Sequence, residues 1–291
     1  MTEKFICFDI GGTKIFKSVV EVNFGQRSFE FLNSETIKNP IDADRIKDEV
    51  INYCQKNKEK FDTNKIAISS ASITNLSKLV VFQVSDIYGV EKFDFNFLKE
   101  LGFQVVLEND GEAFSLGTYY FENNEEKQGL LTLTLGSGIG GGFISTGGEV
   151  LRGKENSATE FSHIKMFIDG KWEKWECISA GRGIEKMYLE KNGEKKSAKD
   201  VFEEIEKDEV AKEVISKSKE YLGQGIANLI DIFNPEKIVF GGSIVKQEAY
   251  VQGAIEIAER NIFNKKAMPE WSISRLKAEM NVLGVCALYY V

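Results

Sequence analysis

The sequence predicts an α/β protein of two lobes with a ligand cleft between them. Three observations carry that expectation. A strand, a glycine turn and a second strand open the chain ("KFICFDI", "GGT", "KIFKSVVEV"), and the same order returns past the middle ("GLLTLTL", "GSGIGGG", "FIST"). Short apolar runs rich in β-branched residues are mixed with segments whose apolar residues recur at helical spacing. Finally, 291 residues at 42% hydrophobic and 28% charged suffice for ample core in one large domain or two lobes, and no Pro/Gly/Ser linker divides the halves.

In chain order, the first hairpin is followed by "FEFLNSETI" as a third strand. "DADRIKDEVINYCQKNKEKF" places Ile46, Val50, Ile51 and Cys54 on one helical face. "KIAISSA" and "FQVVLEN" read as short buried strands, with "GEAFSLGTYYF" a helix after the second. After the second hairpin, helices are expected near 180–190, 198–206 and 209–233. "PEKIVF" is a further strand, "GGS" a glycine turn, "KQEAYVQGAIEIAERNIF" a helix, and "NVLGVCALYYV" a docked terminal helix. The two similar openings amount to a weak internal duplication, not a solenoid repeat.

Charge and composition exclude several classes of function. A net charge of −8 without a Lys/Arg cluster argues against nucleic acid as a partner, because a polyanion would need a basic patch against that field. Small anions stay open, since backbone N–H groups bind them without net positive charge. Cys7, Cys54, Cys177 and Cys286 are far apart in sequence, which fits reduced thiols in a cytosol and offers no CxxC or zinc-ribbon spacing. No apolar run reaches membrane-spanning length, and the N-terminal one is too short for a signal peptide.

Three glycine turns and one acidic turn carry the chemistry. In "DIGGTK", Gly11 and Gly12 let the backbone approach an anion, Thr13 offers a hydroxyl, Lys14 a cation, and Asp9 a partner for Mg²⁺ or water; the plain alternative is a hairpin turn. "GSGIGGG" contains GxGxxG, but that fingerprint needs a helix to follow, and a strand and turn follow here. A second phosphate-cradling hairpin with Ser137 as donor is therefore the expectation, not a dinucleotide site. "FGGS" (Gly241, Gly242, Ser243) joins strand to helix, where glycine admits a flat ring or a phosphate, or simply tight packing. In "ENDGEA", Asp110 is either a helix cap or an acceptor for a hydroxyl proton, with Asn109 binding a neighbouring hydroxyl. The lone histidine, His163, lies three residues after Glu160 in "ATEFSH", open to metal binding, a substrate grip or packing.

Taken in order, "FDIGGTK", "LENDGEAFSLG", "LTLGSGIGGGFI", "ATEFSH", "WECISAGRG" and "NPEKIVFGGSI" resemble the repressor/ORF/kinase (ROK) family of sugar kinases over nearly the whole chain. The resemblance implies an actin-like ATPase (ribonuclease H-like) fold and ATP-dependent phosphorylation of a hexose or N-acetylhexosamine. Lobes are expected over 1–120 and 121–280, with a terminal helix over 281–291 packing back on the first. By the same resemblance, Asp110 is the catalytic base, and Asn109, Glu160, His163 and Glu176 are sugar ligands. Gly11, Gly12, Thr13 and Lys14 with Gly136, Ser137 and Gly138 form the phosphate cradle. Gly241, Gly242 and Ser243 form the adenosine side, and Asp9 is an indirect Mg²⁺ partner. The family suggests a homodimer.

The chain also departs from the family pattern. Many members carry a CxCGxxGC zinc cluster just after the histidine; here "HIKMFIDGKWEKWE" has no cysteine, so no zinc is expected, and Trp172 and Trp175 are expected to fill the loop. Ser162 replaces a glycine, Ala71 and Ser72 replace a Pro-Gly in a loop near the sugar, and Glu112 stands where a smaller or amide residue is usual. These changes bear on sugar specificity and favour N-acetylmannosamine, phosphorylated to its 6-phosphate, with glucose, fructose and N-acetylglucosamine as alternatives; a catalytically inactive sugar-binding regulator is the alternative of another class, against which Asp110, Lys14 and the glycine hairpins argue. Some relatives are repressors with an N-terminal helix-turn-helix; this chain starts at its first strand, so that module is not expected.

Overall fold

The computed structural model describes residues 2–122, 129–276 and 278–290. It resolves into two compact units. One holds residues 2–122, Val150–Ala158 and the C-terminal segment from Leu276; the other holds 129–149 and Thr159–Arg275. Val150–Ala158 lies inside the range expected for the second lobe, yet it packs with the first unit. Of the expected ranges, Met1, residues 123–128, Lys277 and Val291 fall outside the described residues.

The first unit is built on a five-stranded sheet. β1 (Thr2–Ile10) and β2 (Lys14–Asn23) form the N-terminal hairpin, and β3 (Ser28–Lys38) extends it at the edge. After α1 (Ala43–Phe61), β4 (Lys65–Ser70) adds parallel to β1. A small antiparallel sheet, β5 (Ile73–Asn75), β6 (Val80–Phe82) and β7 (Lys92–Asp94), then intervenes, with the single turns α2 (Ser85–Tyr88) and α3 (Phe97–Glu100). β8 (Gln104–Asn109) adds parallel to β4, followed by α4 (Asp110–Gly117) and a π-helical turn, Thr118–Glu122. The small sheet was invisible in the sequence because three-residue strands are too short to show alternation.

Helix α1 starts where the Asp42 side chain accepts from the Arg45 N–H and stops at Asp62 in the left-handed conformation. Its buried face is Ile46, Val50, Tyr53, Cys54 and Asn57. Ile51, expected on that face, is only half-buried, because at 100° per residue it falls on the flank of the arc that Ile46, Val50, Tyr53 and Asn57 centre. The C-terminal helix, Ala278–Ala287, packs on α4, β4 and β1. Close approach requires glycine at this crossing: a Cβ on Gly284 would lie 1.8 Å from the Ala113 carbonyl oxygen, and one on Gly117 2.2 Å from that of Met280.

The second unit repeats the opening. β9 (Leu130–Leu135) and β10 (Ile139–Ile144) form a hairpin. The return strand starts at Ile139, earlier than "FIST", so three of the five glycines pair with β9 and only Gly136 and Gly138 flank the turn. A strand, not a helix, follows the GxGxxG run, which removes the dinucleotide reading. Next come the hairpin β11 (Lys165–Ile168) and β12 (Lys171–Lys174), then the helices α5 (Glu176–Ser179), α6 (Gly181–Asn192), α7 (Ala198–Glu203) and α8 (Glu209–Phe233). β13 (Lys237–Gly241) pairs parallel to β9, α9 spans Glu248–Asn261, and β14 (Glu270–Ile273) closes the sheet beside β13.

Trp172 and Trp175 part company. Trp175 is fully buried, its Nε1 donating to the Tyr221 carbonyl at 3.0 Å, and Gly225 of α8 leaves the space its ring fills. Trp172 is 67% exposed, its ring against that of Phe167, itself 63% exposed, across the β11–β12 hairpin. The expectation that both fill the loop is therefore corrected: Trp172 lies on β12 and faces outward, whereas Trp175 follows the strand with helical backbone and enters the core. All four cysteines are thiols, Cys7 and Cys286 with sulfurs 3.5 Å apart in the first core. Among the described residues, no helix is long and apolar enough to cross a membrane.

Candidate active site

Parallel strands deliver their carboxyl ends to one edge of a sheet, and the connections leaving that edge are where open α/β sheets place ligands. In the first unit the register pairs Ile10 with Ser70 and Ser70 with Asn109. The edge therefore collects Asp9 and the Gly11–Lys14 turn from β1, Ala71 and Ser72 from β4, and Asn109 and Asp110 from β8. In the second unit Thr134 pairs with Gly241, so the turn at Gly136, Ser137 and Gly138 lies beside Gly241, Gly242 and Ser243.

The first edge is tied together by polar contacts. Asp9 is half-buried; its Oδ1 accepts from Ser69 Oγ at 2.7 Å and from Asn281 Nδ2 of the C-terminal helix at 3.0 Å. Both bonds fall on Oδ1, so Oδ2 is the oxygen left, among the described residues, for a water or a cation. Burial raises the Asp9 carboxyl above its ordinary 3.8, while Asn281, Ser69 and the charge of Lys14 pull it down. The turn itself is fixed by the Gly11 N–H donating to Lys14 at 3.1 Å and by Asn39, whose Nδ2 donates to the Gly11 carbonyl at 2.7 Å. Thr13 and Lys14 stay exposed.

At the end of β8, Asn109 caps α4: its Oδ1 accepts from the Gly111 N–H at 2.7 Å and its Nδ2 donates to the Ser72 carbonyl at 2.9 Å. The capping role suggested for Asp110 thus belongs to Asn109, and Asn109 keeps one amide hydrogen and one lone pair for a ligand. Asp110, half-buried at the first position of α4, has its carboxylate in the favourable field of the helix N-terminus. Ser72 is buried and bonded to Ser70 Oγ at 3.1 Å, which turns its carbonyl, rather than its hydroxyl, toward the work of holding Asn109. Behind this turn, Glu108 is fully buried and paired with Arg152, a residue 44 positions away that no sequence motif marks.

The second edge is equally specific. The Gly136 and Ser137 carbonyls accept from the Gly181 and Arg182 N–H groups at 2.8 and 3.0 Å, which docks the glycine turn on the start of α6. Glu176 opens α5 with Oε2 only 2.5 Å from where a Gly138 Cβ would stand, and it faces Arg182 at 3.8 Å. Ser243 Oγ stands 3.8 Å from a would-be Gly136 Cβ. Gly242, at φ 91°, lies against the Leu135 backbone, with a would-be Cβ 2.3 Å from its carbonyl oxygen. Glu160 precedes a 3₁₀ turn, Phe161–His163, and the His163 N–H donates to the Glu160 carbonyl at 3.0 Å. Both side chains are exposed, so His163 is not a packed core histidine. That turn packs against α5, bringing Glu160 and His163 to the element that carries Glu176. Among the described residues, no group of three or more His, Cys, Asp or Glu side chains is placed to hold a metal ion.

Two parallel-strand edges, each with a glycine hairpin, define an α/β protein with a repeated strand–turn–strand opening. The chain belongs to the ROK family, whose model matches residues 5–289. Over 97% of its length it is 25% identical to 98% of an N-acetyl-D-glucosamine kinase of Mannheimia succiniciproducens. Its fold matches that of a Listeria monocytogenes protein named provisionally as an N-acetylmannosamine kinase, with a TM-score of 0.84, 24% identity and 99% of each chain covered. It also matches a ROK family glucokinase of Streptomyces griseus, solved with glucose and AMPPNP, with a TM-score of 0.79, 23% identity and 98% and 99% of the two chains covered. The actin-like fold expected from the sequence is thereby established.

Proposed function

We propose that this protein is an ATP-dependent sugar kinase acting on a hexose or N-acetylhexosamine, with Asp110 as general base. The observation that carries this reading is the state of the turn glycines. A Cβ on Gly11, Gly12 or Gly136 would meet its nearest neighbour at 3.7, 3.6 and 3.8 Å, ordinary van der Waals contact, with no left-handed φ at any of the three. The chain's own fold makes no demand for glycine there. A phosphate resting on the backbone does, because a methyl group would stand where the anion approaches.

In this reading Asp110 takes the proton from the acceptor hydroxyl as its oxygen attacks the γ-phosphorus and ADP leaves. The backbone N–H groups of the two glycine turns, with Thr13, Lys14 and Ser137, hold the phosphates. Asn109, Glu160, His163 and Glu176 hold sugar hydroxyls, with Ala71 and Ser72 shaping the loop beside them. Gly241, Gly242 and Ser243 receive the adenosine. Bound with ATP, Mg²⁺ supplies neutralisation of phosphate charge, and Asp9 Oδ2 is the oxygen fitted to face it or its water.

Relatives that act on N-acetylglucosamine and glucose keep both sugar classes in play, while the altered Ala71–Ser72 loop and the absent cysteine cluster favour N-acetylmannosamine, phosphorylated at its 6-hydroxyl. The working enzyme is proposed to be a zinc-free homodimer in a reducing cytosol. An ADP-release panel of glucose, fructose, N-acetylglucosamine and N-acetylmannosamine tests the activity, with metal analysis and light scattering on the same sample. Turnover on none of them, near-normal turnover in Asp110→Asn, or stoichiometric tightly bound zinc would each overturn the corresponding part.

A further inference from the structure

The segment Val150–Ala158 leaves its sequence neighbours to pack with the first unit, and it does so as a closed loop. Its neck is sealed by the Ala158 N–H donating to the Arg152 carbonyl at 3.0 Å. Glu155 and Asn156 sit at φ 59° and 52°, left-handed conformations that non-glycine residues hold only when their surroundings enforce them. Two side chains pin the loop. Asn156 Nδ2 donates to the Thr74 carbonyl of β5 at 2.9 Å, and the Arg152 guanidinium donates to Glu108.

Glu108 is the unusual member. It is fully buried at the penultimate position of β8, where a lone carboxylate is strongly disfavoured. Its Oε2 takes the Arg152 hydrogen bond, and its Oε1 accepts from the Asn109 N–H at 3.0 Å. One carboxylate therefore bridges the loop and the backbone of the turn that carries Asn109 and Asp110. Glu108 is buried while the Arg152 side chain is 26% exposed; a pair that takes a carboxylate out of water is a poor source of net stability compared with apolar packing, so its presence asks for a reason other than folding.

We propose that Glu108 and Arg152 are a positioning pair for phosphoryl transfer: the Val150–Ala158 loop, through Arg152, sets the backbone on which Asn109 meets the sugar and Asp110 its hydroxyl. This rests on the reading of Asp110 as the base. In this reading neither residue is a substrate ligand. Their effect is on where the Asn109–Asp110 turn stands, and a displacement of about 1 Å at a reacting centre costs on the order of 10²-fold in rate.

The test is steady-state kinetics on Arg152→Met, Arg152→Lys, Glu108→Gln and the double variant Glu108→Gln/Arg152→Met. The acceptor is whichever of the four panel sugars the wild type phosphorylates fastest, and rates are normalised to folded protein by circular dichroism. Arg152→Met is expected to lose about 10²-fold in kcat/KM for the sugar, with the KM for ATP within about twofold of wild type. Arg152→Lys, which keeps the charge, is expected to recover most of that loss. The double variant is expected to outperform Arg152→Met because no buried charge is left unpaired. Should Arg152→Met fail to fold, Arg152→Lys and Glu108→Gln read the same split. Activity lost only in proportion to the folded fraction, or sugar and ATP parameters moving together, would make the pair merely structural and overturn the proposal. Asp110→Asn run in parallel separates the two ideas. If it is inactive while Arg152→Met is normal, the pair alone is refuted; if it stays active, the base and the pair fall together.

Discussion

Replacing Gly12 by alanine separates what the fold needs from what the ligand needs. The added methyl would meet the Asp86 carbonyl oxygen at 3.6 Å, and Gly12 is not in the left-handed region, so the folded chain accepts it. Gly→Ala at such a site removes freedom from the unfolded chain and stabilises by about 0.4–1 kcal/mol. At roughly 2–4 °C per kcal/mol for a domain of this size, Tm should stay level or rise slightly. Against a bound phosphate the same methyl stands where the anion approaches. Loss of one hydrogen bond to a charged group is worth about 1.5–3 kcal/mol, which is about 10- to 10²-fold in the KM for ATP. Differential scanning calorimetry and a coupled ADP assay measure the two sides. Gly242→Ala is the control: at φ 91°, with its would-be Cβ 2.3 Å from the Leu135 carbonyl oxygen, it should lower Tm outright. A Gly12→Ala protein with an unchanged KM for ATP, or one destabilised like Gly242→Ala, would refute the argument that this turn is kept open for phosphate.

Other substitutions read other parts of the molecule. Asp9→Asn should raise Tm and abolish turnover. Burial holds the Asp9 carboxyl above its ordinary 3.8, so the folded state loses stability as pH rises past that value, and the Tm gap between variant and wild type should widen with rising pH and level off once the folded carboxyl is ionised; a gap that narrows would contradict this. His163→Gln should leave stability within about 0.5 kcal/mol of wild type, since the ring is exposed, while raising the sugar KM about tenfold for one lost hydrogen bond; a large loss of stability would return His163 to a packing role. Trp175→Ala should cost about 3–5 kcal/mol by urea denaturation, and Trp172→Ala no more than about 0.5; equal effects would mean the two rings share one environment.

What the sequence made legible follows from what a linear pattern can record. The long elements were readable because their periodicity runs for many residues: α1 and α8 appear where the apolar spacing placed them, and so do the two hairpins. The face of α1 was misjudged at Ile51 because apolar spacing does not fix how wide the buried arc is, and Ile51 lies on its flank while Tyr53 and Asn57 lie within it. The sheet β5–β6–β7 had no signal, since three residues do not establish alternation. Glycine turns marked the candidate phosphate loops by composition, but composition could not say which glycines the backbone demands. That took distances: Gly242 is required by its own fold, whereas Gly11, Gly12 and Gly136 are not.

The residues that sequence reasoning missed share one property: each acts across a long interval of chain. Asn281 reaches Asp9 over 272 positions, and Arg152 reaches Glu108 over 44. Neither belongs to a local motif: Asn281 holds Asp9, proposed to face Mg²⁺, and Arg152 holds Glu108, which in turn holds the backbone of Asn109. A motif records groups gathered by one turn of backbone, and the parallel register of β1, β4 and β8 then gathers several motifs at one edge. The supports come from elements that pack behind that edge, the C-terminal helix for Asp9 and the Val150–Ala158 loop for Glu108, and their contact is decided by tertiary packing alone. The two supports differ in charge but act in the same direction. Neutral Asn281 donates a hydrogen bond that opposes the larger effect of burial on the Asp9 carboxyl, favouring the ionised form that a group proposed to face a cation needs. Arg152 opposes the effect of burial on Glu108 and draws its carboxyl back toward the ionised form, which suits a group whose task is to accept, permanently, the N–H of Asn109.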